Sequence, residues 1–183
     1  MLRRAGVAFD FITADFDEAA FKATAHADGL SVNDLALTLA TMKARRVSTS
    51  RREALVIGAD QVLHCDNIRF SKPSSRSQAK THLQQLRGKT HHLATAVVCM
   101  QGDAILWHHV ESPSLTMRSV SDSFLETYLD EEGDDILTSV GAYLLESRGV
   151  QLFERIDGSY FTILGLPLLA LLGFLRQAGI LPS

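Results

Sequence analysis

The stretch "ALVIGADQVLHCDNIRFSKP", residues 54–73, holds the residues best suited to chemistry. A short apolar run ends in Gly58-Ala59 and delivers an acid, Asp60, at the lip of what reads as a buried strand. Ligands in α/β sheets gather outside strand ends, a favoured place for a working carboxylate, although an isolated strand-end Asp more often only forms a turn. Lys72 stands directly before Pro73, which holds its backbone extended and suits an aimed ammonium; otherwise it is an ordinary exposed lysine. Lys43 sits near the end of a helical stretch, where it either faces phosphate or merely complements the helix C-terminus. Asp17-Glu18 add two more carboxylates, or cap a loop. Together these groups form a coherent inventory. Carboxylates hold a hard divalent cation through oxygen. Lysines neutralise phosphate oxygens. An acid such as Asp60 orients or deprotonates water. The set suits metal-assisted hydrolysis of a phosphoanhydride, in which positioning and charge stabilisation supply most of the catalysis.

Other chemistries fit less well. His91-His92 and His108-His109 are adjacent pairs that point to opposite faces of a strand, so neither chelates a metal. There is no G-x-S-x-G elbow for a serine hydrolase. Cys65 and Cys99 match no metal or redox spacing and are expected to stay reduced. A net charge of −3 gives no general reason to bind nucleic acid or an anionic membrane. The segment "LGLPLLALLGFL" is too short to span a bilayer comfortably, and "MLRRAGVAFD" lacks the apolar run of a signal peptide. A cytoplasmic protein is expected.

The elements that must position these residues read as follows. At 183 residues, 46% of them apolar, the chain suits one globular domain with a full-sized core. "GVAFDFITAD" alternates and is rich in aromatic and β-branched residues, which predicts a strand. "SVNDLALTLATMKARRV" predicts a helix capped by Ser31, with Leu35, Leu39 and Met42 on one face. "ALVIGA" and "IRFSKP" predict extended segments, and "SRSQAKTHLQQLRGK" a second helix stopped at Gly88. "HLATAVVCM", "AILWHHVES" and "SLTMRSV" predict an antiparallel meander turning first at Gln101-Gly102-Asp103. Ser121 caps a third helix, "VQLFERIDG" is strand-like, and Pro167 suits the first turn of a last helix ended by Gly179. The expected fold class is α/β, a mixed, partly antiparallel sheet flanked by helices.

At "VIGADQVL" and "SKP", joined to "MKARRV", "SVGAYLLESRG", "FERIDGSYFTILGLPL" and "FDE", the chain resembles the Maf family. These are nucleoside triphosphate pyrophosphatases related in fold to the inosine triphosphate pyrophosphatases, and the ordered motifs match nearly end to end. The resemblance implies a cleft between a main and a smaller lobe. It also implies cleavage between the α- and β-phosphates of a nucleoside triphosphate, with Mg²⁺ or Mn²⁺. Asp60 matches the family's proton acceptor, Glu18 an acidic residue expected to share the metal with Asp60, and Lys43 and Lys72 the phosphate-facing lysines. Gln61 and Glu146, in place of the more usual Thr and Gln, look like the branch acting on 7-methyl-GTP. A carboxylate would suit a cationic methylated purine.

Three departures stand out. The family's usual opening, Ser-x-Ser-Pro-Arg-Arg, is missing: Met1-Leu2 align with the pair that follows it, so Arg3-Arg4 are not its arginines. Thr138-Ser139 replace an Asp-Lys pair, and Thr162 stands near the place of an Asn. Losing an arginine–phosphate contact weakens phosphate binding, which leaves open a non-catalytic nucleotide- or partner-binding protein on the same fold. A homodimer is the expected assembly.

Overall fold

The computed structural model describes residues 1–14, 21 and 29–182. The described residues form an α/β fold built on an open antiparallel sheet flanked by helices. Helix α1 (Val32–Ser48) begins at Ser31, whose hydroxyl accepts from the Asp34 N–H at 3.1 Å. It buries Leu35, Ala36, Leu39, Ala40 and Ala44; of the stripe that helical spacing predicts, Leu35 and Leu39 are buried and Met42 only partly so. Strands β1 (Val56–Cys65) and β2 (Ile68–Phe70) form a hairpin pairing Leu63 with Phe70 and Cys65 with Ile68. Helix α2 (Arg76–Leu86) is capped by Ser75. Three strands follow, β3 (Thr90–Gln101), β4 (Ala104–Glu111) and β5 (Ser114–Met117). Helix α3 (Asp122–Glu132), capped by Ser121, leads through two short 3-10 helices (Gly133–Thr138 and Arg148–Leu152) and the turns between them to β6 (Phe153–Asp157). A single turn, α4 (Tyr160–Ile163), precedes the last helix, α5 (Leu168–Gln177), which starts at Pro167.

Asp60, expected at the lip of a strand ending at Ala59, instead stands inside β1, which runs on to Cys65. Two further sequence expectations change. The first concerns "GVAFDFITAD". Leu2–Ala5 form a short 3-10 helix, and residues 7–14 pair with no strand among the described residues. Strand propensity there expresses composition only; without a ladder partner Phe11 stays 79% exposed. The second concerns the meander. Strand β5 pairs with β3 and β6, not with β4: Glu111 of β4 faces Thr95, and Ser114 of β5 faces His92. The break falls at Ser112-Pro113. Proline has no N–H for a ladder, but its carbonyl accepts from Leu93 N–H at 3.1 Å. The path through the sheet runs β2-β1-β3-β5-β6, with β4 on β3.

The chain divides into two compact units, one of residues 1–61, 94–111 and 159–183 and one of residues 62–93 and 112–158. In the first, Val97 and Cys99 of β3 pack with Leu166, Leu168, Leu171 and Leu175, and Trp107 stacks on Phe174 at 5.1 Å. In the second, α2 and α3 pack together, burying Leu83, Leu86, Leu125 and Leu129. Their polar faces are laced by Arg76 and Lys80 to Glu126, and by Arg76 to Asp130. No described helix is long and apolar enough to cross a membrane.

Candidate active site

The site in the first unit begins with a residue that has no side chain. A Cβ placed on Gly58 would stand 2.8 Å from both the Cβ and the N of Ala44, and closer still to the carbonyl oxygen of Ala40. Glycine therefore lets α1 lie directly on β1. Alternate residues of a strand share a face, so Asp60 projects on the same side as Gly58. Lys43, next to Ala44 on the helix, reaches it: its Nζ forms an ion pair with Asp60 Oδ1. The Asp60 side chain is 5% exposed and that of Lys43 28%. Burying an unpaired carboxylate this far would be costly, and the ammonium offsets that cost.

Gln61 projects from the other face of β1. Its Nε2 donates to Thr95 Oγ1 (2.8 Å) and to the carbonyls of Thr162 (3.0 Å) and Ile163 (3.1 Å). Backbone carbonyls only accept, so the amide must present its NH₂ to them, which leaves Oε1 as its remaining acceptor. The α4 turn that supplies those carbonyls is held in turn. Thr162 Oγ1 donates to Glu111 Oε2, and Glu111 Oε1 lies 3.1 Å from His109 Nε2. His109 is itself stacked on Trp107. This network of Thr95, Glu111 and His109 escaped the sequence reading. Its only trace there is Thr95, a polar residue inside the apolar run "HLATAVVCM".

The remaining candidates fall elsewhere. Lys72 is exposed just past β2, ahead of a buried Pro73, and belongs to the second unit. Glu146 is exposed in the turns of that same unit, close enough to Tyr128 to raise its phenol pKa, an effect smaller than that of burial. Glu18 lies outside the described residues. Among the described residues no group of three or more His, Cys, Asp or Glu gathers to hold a metal. One buried carboxylate nonetheless suits Mg²⁺, which is commonly bound by one or two carboxylates plus substrate phosphates rather than by an all-protein cage.

Comparison with known proteins agrees with this reading of the motifs. The chain is 50% identical over 179 residues to a nucleoside triphosphate pyrophosphatase of Paramagnetospirillum magneticum, covering 98% of this chain and 92% of that one. It is 49% identical over 177 residues to another so named from Granulibacter bethesdensis, covering 97% and 90% of the two chains. A 7-methyl-GTP pyrophosphatase of Rhizobium meliloti is 45% identical over 179 residues, covering 98% and 90%. The pattern that defines the Maf-like proteins matches residues 1–178, and the chain belongs to the Maf family.

Proposed function

We propose that this protein hydrolyses the α–β phosphoanhydride of nucleoside triphosphates, releasing the nucleoside monophosphate and pyrophosphate. The observation that carries the reading is the buried Asp60–Lys43 pair at the α1–β1 contact, in a chain whose relatives are named for this activity. Asp60 takes a proton from water as the water oxygen bonds to the α-phosphorus. The bridging P–O bond then breaks and pyrophosphate leaves with its electron pair. Lys43 and Lys72 bind phosphate oxygens as point charges. Asp60 and Glu18 hold Mg²⁺ or Mn²⁺, which supplies charge neutralisation at the phosphates. Gln61 and Glu146 contact the base. Gln61 offers it an acceptor and Glu146 a carboxylate, which favours a cationic base such as 7-methylguanine. The name of the Rhizobium meliloti relative supports that choice. We place the activity in the cytoplasm, where the two free cysteines stay reduced.

The test is pyrophosphate release over a nucleotide panel that includes 7-methyl-GTP, with Mg²⁺ and with Mn²⁺. Turnover that falls by roughly 10²-fold or more in Asp60→Asn supports the reading, a loss typical of a positioned proton acceptor. Turnover no higher than in that variant, together with nucleotide binding by calorimetry, would instead establish a non-catalytic nucleotide-binding protein.

A further inference from the structure

Lys43 is assigned to phosphate by resemblance, yet in the folded chain its ammonium lies on Asp60, the carboxylate assigned to the metal. One side chain cannot serve both ends at once. Asp60 is almost wholly enclosed, and Lys43 is more buried than exposed, so their charges meet where water screens them little. The close contact of α1 with β1 at Gly58 fixes the base of the lysine over the acid, so the pair is part of the fold rather than a chance surface encounter. A divalent cation reaching for the same carboxylate would meet the ammonium at short range, and like charges crowded on one carboxylate repel. A triphosphate removes the conflict by offering the ammonium another anion.

We propose that Lys43 is a built-in stand-in for the metal. It occupies Asp60 in the nucleotide-free protein, keeps a divalent cation from binding alone, and moves onto the triphosphate when nucleotide and metal arrive together. The inference rests on the pyrophosphatase reading and adds an order to it. Metal and nucleotide strengthen one another's binding, and Lys43 carries that coupling.

The experiment is Mn²⁺ binding, followed by electron paramagnetic resonance on the full chain without nucleotide, and again with a triphosphate whose α–β bridge is a methylene. Wild type is expected to bind Mn²⁺ weakly alone and at least tenfold more tightly with the analogue. Lys43→Gln is expected to bind Mn²⁺ alone at least tenfold more tightly than wild type and to lose most of the gain from the analogue. Lys43→Arg, which keeps the charge, is expected to remain weak. Arg46→Gln removes a charge from an exposed site on the same helix and is expected to change nothing. The proposal is overturned if Lys43→Gln binds Mn²⁺ no better than wild type, or if Arg46→Gln strengthens binding as much. These results are distinct from failure of the reading itself, which shows as absence of pyrophosphate release from wild type.

Discussion

Gly58 and Ala44 are in such close register that a Cβ on the first would stand 2.8 Å from the Cβ of the second. The approach brings Lys43 over Asp60, so one contact sets both the helix–strand packing and the ion pair. Gly58→Ala forces α1 away from β1, since the intruding methyl meets backbone as well as side chain. An overpacked contact of this kind costs roughly 1–3 kcal/mol. The displaced lysine should cost activity beyond that. Urea unfolding and pyrophosphate release on the same preparation are the measurements. A variant that keeps wild-type turnover would show that the contact does not set the site.

The helices were legible because their signals are local. Ser31 and Ser121 accept from Asp34 and Phe124 as their positions predict, and Leu35 and Leu39 of the apolar stripe of α1 are buried. Strands are half a statement until a partner exists. Residues 7–14 have strand composition and no ladder, while Pro113 redirects β5 from β4 to the other end of β3. The site divides the same way. Asp60 and Lys43 stand 17 apart in sequence, and no periodicity links them; what joins them is a missing side chain between. Thr95 and Glu111 looked like ordinary strand residues because the turn they serve, at Thr162, is remote in the chain.

The caps permit a simple check on α1. The Ser31 hydroxyl satisfies the Asp34 N–H, an otherwise orphaned donor of the first turn. Ser31→Ala should lower stability by about 1 kcal/mol, and Ser31→Thr, whose hydroxyl can both accept from that N–H and donate to Asp34 Oδ2 as Ser31 does, should restore most of it. Because the far end of this helix carries Lys43, the alanine variant should keep its affinity for nucleotide once folded. Denaturant midpoints and calorimetric nucleotide affinity together distinguish a loss of cap from a loss of site.

Acid should weaken the second unit through His91. This ring is fully buried against Tyr143 and Phe153, its Nε2 lies 2.8 Å from the Tyr143 hydroxyl, and its Nδ1 meets no partner among the described residues. Burial, with the neighbouring His92 and His64, pushes its pKa down from 6.5 to about 4. The folded state thus binds fewer protons than the unfolded one between those values. The contribution is fully present above pH 6.5 and is lost as the pH falls toward 4, with a slope approaching ~1.4 kcal/mol per pH unit. His64 and His82, also lowered chiefly by burial, act in the same direction. His91→Phe should be less stable at pH 7, since the Tyr143 hydroxyl loses its partner, but should lose less on acidification. Unfolding free energies at pH 7 and pH 5 for both proteins measure the crossing.

The sharpest distinction lies at Gln61, because one heavy atom separates glutamine from glutamate. Its NH₂ faces two backbone carbonyls and a threonine hydroxyl. In Gln61→Glu that position becomes a carboxylate oxygen aimed at two carbonyls that cannot donate, so repulsion replaces attraction at nearly unchanged volume. Gln61→Met merely empties the site of hydrogen bonds. An unsatisfied buried acceptor costs about 1–3 kcal/mol, and more when it is charged. The glutamate variant should therefore be the less stable of the two at pH 8. Protonation converts it back into a donor, so the gap should narrow as the pH falls toward 5, the reverse of the trend at His91. Equal stability of the two variants across that range would mean that the amide does not hold the α4 turn, and that the order Gln61–Thr162–Glu111 has no structural force.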